Sequence, residues 1–192
     1  MNALENWFCS SSLWRSITQK QILPWMLADA ELGDALEIGA GLGAATDELR
    51  RRSRRVVSLE YDRHSTLKLA GRQGPTAAVV QGDAARLPFV DSAFSSVIAV
   101  LVLHHLRSTE QQDRCFAEIH RVLRYGGFFF AVEIQDGWLN RAVHFRSTFV
   151  PLEPASIKAR LVDAGFSEVI LECQRGAFRV RGLKPASSDA SG

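Results

Sequence analysis

Apolar residues in this chain gather into short continuous runs, separated by stretches in which they recur at helical spacing. The runs are Ala35 to Ile38, Arg55 to Leu59, Ala77 to Val80, Val97 to Leu103 and Phe128 to Val132. Strand-length runs that are apolar almost throughout belong to strands covered on both faces. Their alternation with helical segments predicts an α/β fold with a mostly parallel sheet. Between the fourth and fifth runs, Ser108-Thr109-Glu110-Gln111 reads as a capping box. Phe116, Ile119 and Leu123 follow at helical spacing, and Gly126-Gly127 is the expected stop. Residues Gln135 to Glu153 carry Trp138, Phe145 and Phe149 without a clean period and read as a loop or short helix. Pro154 opens a helix that runs through Leu161 to Ala164 and ends at Gly165. Val169-Ile170-Leu171 and Phe178-Arg179-Val180 then flank Gln174-Arg175-Gly176, which predicts a closing antiparallel hairpin and a sheet of seven strands.

A length of 192 residues fits one domain with a core that needs no disulfide or metal to hold it. At 46% apolar and 23% charged the composition is that of an ordinary globular domain, which excludes collagen-like, coiled-coil and disordered readings. The formal net charge of +2 gives no overall pull toward nucleic acid or an anionic membrane. Cys9, Cys115 and Cys173 are odd in number and far apart, so a reduced, cytosolic chain without structural zinc is expected. The N-terminal residues lack the basic region and apolar core of a signal peptide, and no segment has the uninterrupted length of a membrane span.

Candidate chemistry begins at Glu37-Ile38-Gly39-Ala40-Gly41-Leu42-Gly43-Ala44-Ala45, where the first strand gives way to a helix. Glycines there permit positive φ and close approach of a ligand, and the helix start offers unpaired N–H groups. Gly39-x-Gly41-x-x-Ala44 also satisfies a dinucleotide-binding fingerprint, with Glu60 at a distance suited to a ribose diol. A tight strand-to-helix turn without any ligand is the bland alternative.

Three further features separate these readings. An acid precedes the first glycine, the spacing runs G-x-G-x-G, and the third strand ends in Gln81-Gly82-Asp83-Ala84, followed by Leu87-Pro88-Phe89 and Phe94. With Leu103-His104-His105-Leu106 and Val122-Leu123-Arg124-Tyr125-Gly126-Gly127, the set resembles the class I S-adenosylmethionine (SAM)-dependent methyltransferases, most closely the small-molecule branch that includes quinone-biosynthesis C-methyltransferases. The resemblance covers Asp34 to Gly127 motif by motif and the closing helix and hairpin more loosely. It implies a seven-stranded, Rossmann-like, doubly wound sheet and SAM as cofactor, with S-adenosylhomocysteine (SAH) as product.

It also implies roles for particular residues. Glu37 would help position the methionine amino group through the loop, and the backbone of Gly39, Ala40, Gly41 and Gly43 would pack against methionine and ribose. Glu60 would accept from the ribose hydroxyls, Tyr61 would flank adenine, and Asp83 with the Ala84 N–H would read the base edge. Val100 would line the methionine side. His104 and His105 are the catalytic candidates. Each has a structural alternative: Glu60 as a partner of nearby arginines, Asp83 as a turn cap, the histidines as satisfied core residues. Phe94 is followed by Ser95 where the family often has Asp, and the fourth strand lacks the Asn/Asp-Pro-Pro-aromatic motif of amino-methylating nucleic-acid enzymes, which disfavours DNA adenine methylation.

The run Arg50 to Arg55 sits at the expected end of the first core helix, where basic charge complements the helix dipole, and no aromatics interleave with it as in single-strand binders. A small-molecule acceptor is therefore expected and nucleic acid is not. The aromatic N-terminal stretch Leu4, Trp7, Phe8, Leu13, Trp14, Ile17, Ile22, Trp25 and Met26 reads as a helix on the sheet, as a lid, or as an interfacial membrane helix. Trp138 to Phe149, with Arg141, His144 and Arg146, is a second lid candidate suited to an aromatic or anionic acceptor. The expected organisation is one domain over 1–184, with an N-terminal lid at 1–33, a cofactor core at 34–134, a substrate lid at 135–153 and a disordered tail at 185–192. The expected activity is methyl transfer to a small aromatic or apolar molecule without a metal. An NAD-dependent oxidoreductase and a non-catalytic SAM-binding module are the alternatives, and the oligomeric state is open.

Overall fold

The structure is a computed structural model that describes residues 11–74, 78–145, 147–174 and 176–186. The expectations placed on Leu4, Trp7, Phe8, Cys9, Ala77, Arg146 and Arg175, and on the tail beyond residue 186, lie outside the described residues. In chain order the elements are α1 (Ser12–Ile17), a π-helical turn (Thr18–Ile22), α2 (Leu23–Leu27), β1 (Asp34–Ile38), α3 (Thr46–Arg52), β2 (Arg55–Glu60), α4 (Arg63–Gln73), β3 (Ala78–Gln81), β4 (Phe94–Val100), α5 (Thr109–Val122), β5 (Leu123–Ile134), α6 (Trp138–Val143), α7 (Pro154–Asp163), β6 (Ser167–Gln174) and β7 (Ala177–Leu183).

The seven strands form one sheet in the order β3-β2-β1-β4-β5-β7-β6. β1 to β5 run parallel to one another, while β7 is antiparallel to both β5 and β6. Strand alternation sorts side chains onto two helical layers. Leu36, Val97 and Phe129 pack with Phe116 and Ile119 of α5 and with Ile157 and Leu161 of α7. Ala35, Ile98, Phe130 and Val132 face the other side, against Leu23, Met26 and Leu27 of α2 and Leu49 of α3. Burying each of the larger side chains stabilises the fold by about 1.5–3 kcal/mol. The N-terminal aromatic stretch is thus partly a core element: α2 covers the sheet.

Three boundaries differ from the sequence reading. β4 begins at Phe94 and ends at Val100, and Leu103–His105 form a 3₁₀ turn rather than the end of a strand. The backbone breaks at Leu101, which has φ 49°, and the N–H groups of Val102 and Leu103 go to the Glu133 carboxylate instead of the sheet. α5 stops at Val122, short of Gly126-Gly127, because Leu123 turns into extended conformation and pairs with Phe94. The Lys184 ammonium donates to the carbonyls of His120 and Leu123 at 2.8 Å each and closes that helix end. At the helix start Ser108 accepts from the Gln111 N–H, but Gln111 reaches back to the N–H of Arg107 rather than of Ser108.

The hairpin forms as expected, and β7 rather than β6 takes the place beside β5. β7 buries Phe178 and Val180, whereas β6 exposes Ile170 beside Glu168, Glu172 and Gln174, whose charged and polar side chains suit an edge. The order of strands reverses between β1 and β4, so the crevice at the C-terminal ends of these two strands is where an open α/β sheet binds its ligand.

Candidate active site

The glycine-rich loop leaves β1 at this crevice. Gly39, Gly41 and Gly43 have φ of 68°, 54° and 79°, conformations closed to most side chains. Gly39 and Gly41 play different parts. A Cβ on Gly39 would collide with the Val102 side chain, whereas one on Gly41 would meet nothing within 4 Å. Gly39 is therefore a packing requirement, and Gly41 presents bare backbone to open space. The N–H groups of Gly39 and Ala40 donate to the Leu59 carbonyl, Arg72 donates to the Gly43 carbonyl at 2.9 Å, and Gln19 of the π-helical turn donates to the Ala44 carbonyl at 3.1 Å.

Two carboxylates flank the loop in different surroundings. Glu60, half-buried at the end of β2, accepts from the Gly41 N–H through Oε2 and from the Asp62 N–H through Oε1, both at 2.8 Å. Glu37 lies beneath the loop at 3% exposure, and its Oε2 accepts from the hydroxyls of Thr46 and Ser58 at 2.7 Å each. Burial pushes the Glu37 carboxyl up to about 7, and the two hydroxyl bonds pull against that rise. Glu37 thus faces the start of α3 and β2, and whatever it does at the crevice acts through them.

Asp83 follows β3 two residues beyond Gln81, the register partner of Glu60. It is exposed, and its Oδ1 accepts from the Ala85 N–H at 2.9 Å, the turn-capping arrangement. Tyr61 is exposed, and its hydroxyl accepts from Arg107 at 3.3 Å. Val100 is half-buried at the end of β4.

Beyond Val100 the chain enters a histidine-rich corner. His104 is 3% exposed, and its Nδ1 lies 2.6 Å from Oε2 of Glu133, itself fully buried at the end of β5. Oε1 of Glu133 takes the N–H groups of Val102 and Leu103 at 2.9 and 2.7 Å. One carboxylate therefore both turns the backbone and orients the imidazole. His105 is half-buried, with Nδ1 at 3.1 Å from the Thr148 carbonyl, and burial together with the neighbouring His104 pushes its imidazole down to about 4. Alternation along a continued strand would point the two rings oppositely; on the 3₁₀ turn they lie side by side instead, with centroids 4.2 Å apart.

His144, at the end of α6, joins them from the second lid candidate. Its ring centroid is 5.0 Å from that of His104, and Phe149 stacks on it at 4.5 Å. The segment is tied down by the Val150 N–H donating to the His104 carbonyl and by Gln112 donating to the carbonyls of Leu103 and Val150. Trp138 and Phe145 of the same segment are exposed. Sequence reasoning missed Glu133, Thr46 and Ser58. A lone acid closing the apolar run Phe128 to Val132 was the available signal for Glu133.

The methyltransferase-domain family matches residues 36–131, half of the chain, which spans the glycine loop, Glu60, Asp83 and the paired histidines. The chain belongs to the class I SAM-dependent methyltransferases. It is 32% identical over 119 residues to a demethylmenaquinone methyltransferase of Thermobifida fusca, covering 59% of this chain and 47% of that protein. It is 30% identical over 158 residues to a probable SAM-dependent methyltransferase of Mycolicibacterium smegmatis, covering 78% of this chain and 57% of the relative. The chain thus spans about half the length of these curated relatives. Among solved structures, the N-methyltransferase NodS of Bradyrhizobium japonicum in complex with SAH superposes with a TM-score of 0.75 at 18% identity, covering 93% of this chain and 91% of NodS, and shares the fold. Among the described residues, no helix of this methyltransferase-family chain is long and apolar enough to cross a membrane.

Proposed function

We propose that this chain catalyses methyl transfer from SAM to a small aromatic or apolar acceptor. The carrying observation is the crevice in which Glu60 and the open backbone at Gly41 meet at the switch point of the sheet, with a histidine and aromatic corner beyond the end of β4. The cofactor fits the residues present. Gly39, Ala40, Gly41 and Gly43 would carry the methionine and ribose portion. Each Glu60 oxygen, bonded to one N–H, keeps a second lone pair for a ribose hydroxyl. Asp83, Ala84 and Tyr61 would hold the adenine end, Val100 the methionine side, and Glu37 would steady the loop from beneath through Thr46. When bound, SAM supplies a methyl carbon on a sulfonium, which an acceptor electron pair takes in line as the carbon–sulfur bond breaks toward sulfur.

The chain's own work is alignment and exclusion of water, and holding both partners in line is worth about 7–11 kcal/mol. His105 stays neutral at physiological pH, so the nitrogen not bonded to Thr148 keeps a lone pair that can accept a hydrogen bond from the acceptor, while an imidazole pushed down to about 4 is a weak base. His104, fixed by Glu133, lies beside it. Phe149 and the exposed Trp138 and Phe145 favour an apolar or aromatic acceptor. Titration calorimetry tests the reading. SAM and SAH should bind and NAD should not, and Glu60→Ala should weaken SAH by about 2–4 kcal/mol. Tight NAD binding without SAM or SAH binding overturns the assignment, and unchanged SAH affinity in Glu60→Ala removes Glu60 from the site.

A further inference from the structure

We propose that His104, His105 and His144 form a binding site for one divalent transition-metal ion of the zinc class. One nitrogen from each ring lies within 4.8 Å of its counterparts on the other two. A point equidistant from three atoms at that spacing is about 2.8 Å from each, so every nitrogen needs to move in by only about 0.7 Å to reach the zinc–imidazole distance of about 2.0–2.1 Å. Rotation of a side chain about χ1 or χ2 covers such a step.

The surroundings of the rings are those of oriented ligands. Each Nδ1 is matched to an oxygen: Glu133 Oε2 at 2.6 Å for His104, the Thr148 carbonyl at 3.1 Å for His105 and the Asn140 carbonyl at 2.7 Å for His144. A carbonyl only accepts, so His105 and His144 carry hydrogen on Nδ1, and in the neutral ring this leaves the lone pair on Nε2. The Glu133 carboxylate has the same effect on His104. A hydrogen bond from one ring nitrogen to a carboxylate or carbonyl is the arrangement that fixes the tautomer of a metal-bound imidazole and strengthens the other nitrogen as a donor. Glu133 is itself oriented by the N–H groups of Val102 and Leu103, so the carboxylate that orients His104 is fixed in turn.

All-imidazole sites suit zinc, copper, nickel and iron rather than magnesium or calcium. Three protein ligands leave a fourth position for water or for an oxygen or nitrogen of an acceptor. The site stands on these side chains and does not require methyl transfer. An ion on His105 takes the lone pair that would otherwise accept a hydrogen bond from the acceptor, so the two uses exclude each other.

The test is calorimetric titration of tag-free, metal-stripped protein with zinc chloride, with metal content measured after dialysis. One zinc per chain at a dissociation constant below about 1 μM, together with a higher unfolding temperature in zinc, is expected. His144→Gln and His105→Gln should abolish stoichiometric binding, and Glu133→Gln should weaken it about 10–100-fold. His64→Gln, at an exposed histidine of α4, should change nothing. Circular dichroism checks that each variant is folded. His144→Gln, at a half-buried surface position, keeps the test valid if Glu133→Gln does not fold. Absence of binding by the native chain, or stoichiometric binding that survives both His144→Gln and His105→Gln, overturns the proposal, whatever SAH does.

Discussion

Replacing Glu37 by Gln should make the chain more stable above neutral pH, against the usual outcome of altering a buried residue. The amide keeps an oxygen that can accept from Thr46 and Ser58, as Oε2 of Glu37 does at 2.7 Å, but it cannot become charged. In the native chain burial raises the carboxyl from its ordinary 4.5 to about 7. The folded state therefore holds this proton more tightly than the unfolded chain does. Stability from it is fully present below pH 4.5 and is lost as pH rises to 7. At about 1.36 kcal/mol for each tenfold change in proton affinity, the loss amounts to about 3 kcal/mol. Urea unfolding of both proteins at pH 4.5 to 8 reads it as a difference, in which the titration of all other groups cancels. The stability of Glu37→Gln minus that of the native chain should rise by about 3 kcal/mol across the interval. A flat difference, or one that falls with pH, would refute the reasoning, since it would mean that the Thr46 and Ser58 hydroxyls compensate the charge fully.

The two loop glycines should separate stability from binding. Gly41→Ala should cost about 1–2 kcal/mol in urea unfolding, the cost of a left-handed alanine, yet strongly weaken SAH in calorimetry because the methyl group stands in the open approach. Gly39→Ala should cost more stability than that, since its methyl group also meets Val102; equal costs at the two sites would remove the packing role of Gly39. Lys184→Met should destabilise by about 2 kcal/mol, as the carbonyls of His120 and Leu123 at the end of α5 lose a buried charged donor, and an unchanged urea midpoint would show that water replaces it. His105→Gln should lower turnover by less than the roughly 10²–10⁴-fold of a well-matched base, because an imidazole pushed down to about 4 takes a proton weakly, and should leave SAH affinity unchanged; native turnover would exclude His105 from the acceptor site.

The sequence by itself determined the layered α/β sheet, the closing hairpin and the glycine loop, together with the acids at the ends of β1 and β2. Each is written locally: apolar runs mark buried strands, Pro154 and Gly165 bracket α7, and glycines mark the turn that needs positive φ. Tertiary structure alone decided what lies beyond Val100. Apolar residues continue to Leu103, so periodicity extends the strand, but a carboxylate some thirty positions later takes the N–H groups of Val102 and Leu103 and bends the chain into a turn. That bend sets His104 and His105 side by side, where strand alternation would part them. His144, forty residues from His104, is brought beside it only by the tertiary fold. The state of Glu37 is equally non-local: burial raises its proton affinity, and the burial comes from α3 and β2 closing over it. A hydrophobic pattern measures what one segment prefers to hide. It carries no record of which distant polar group will claim a particular N–H or imidazole, because that choice is made by the packed sheet.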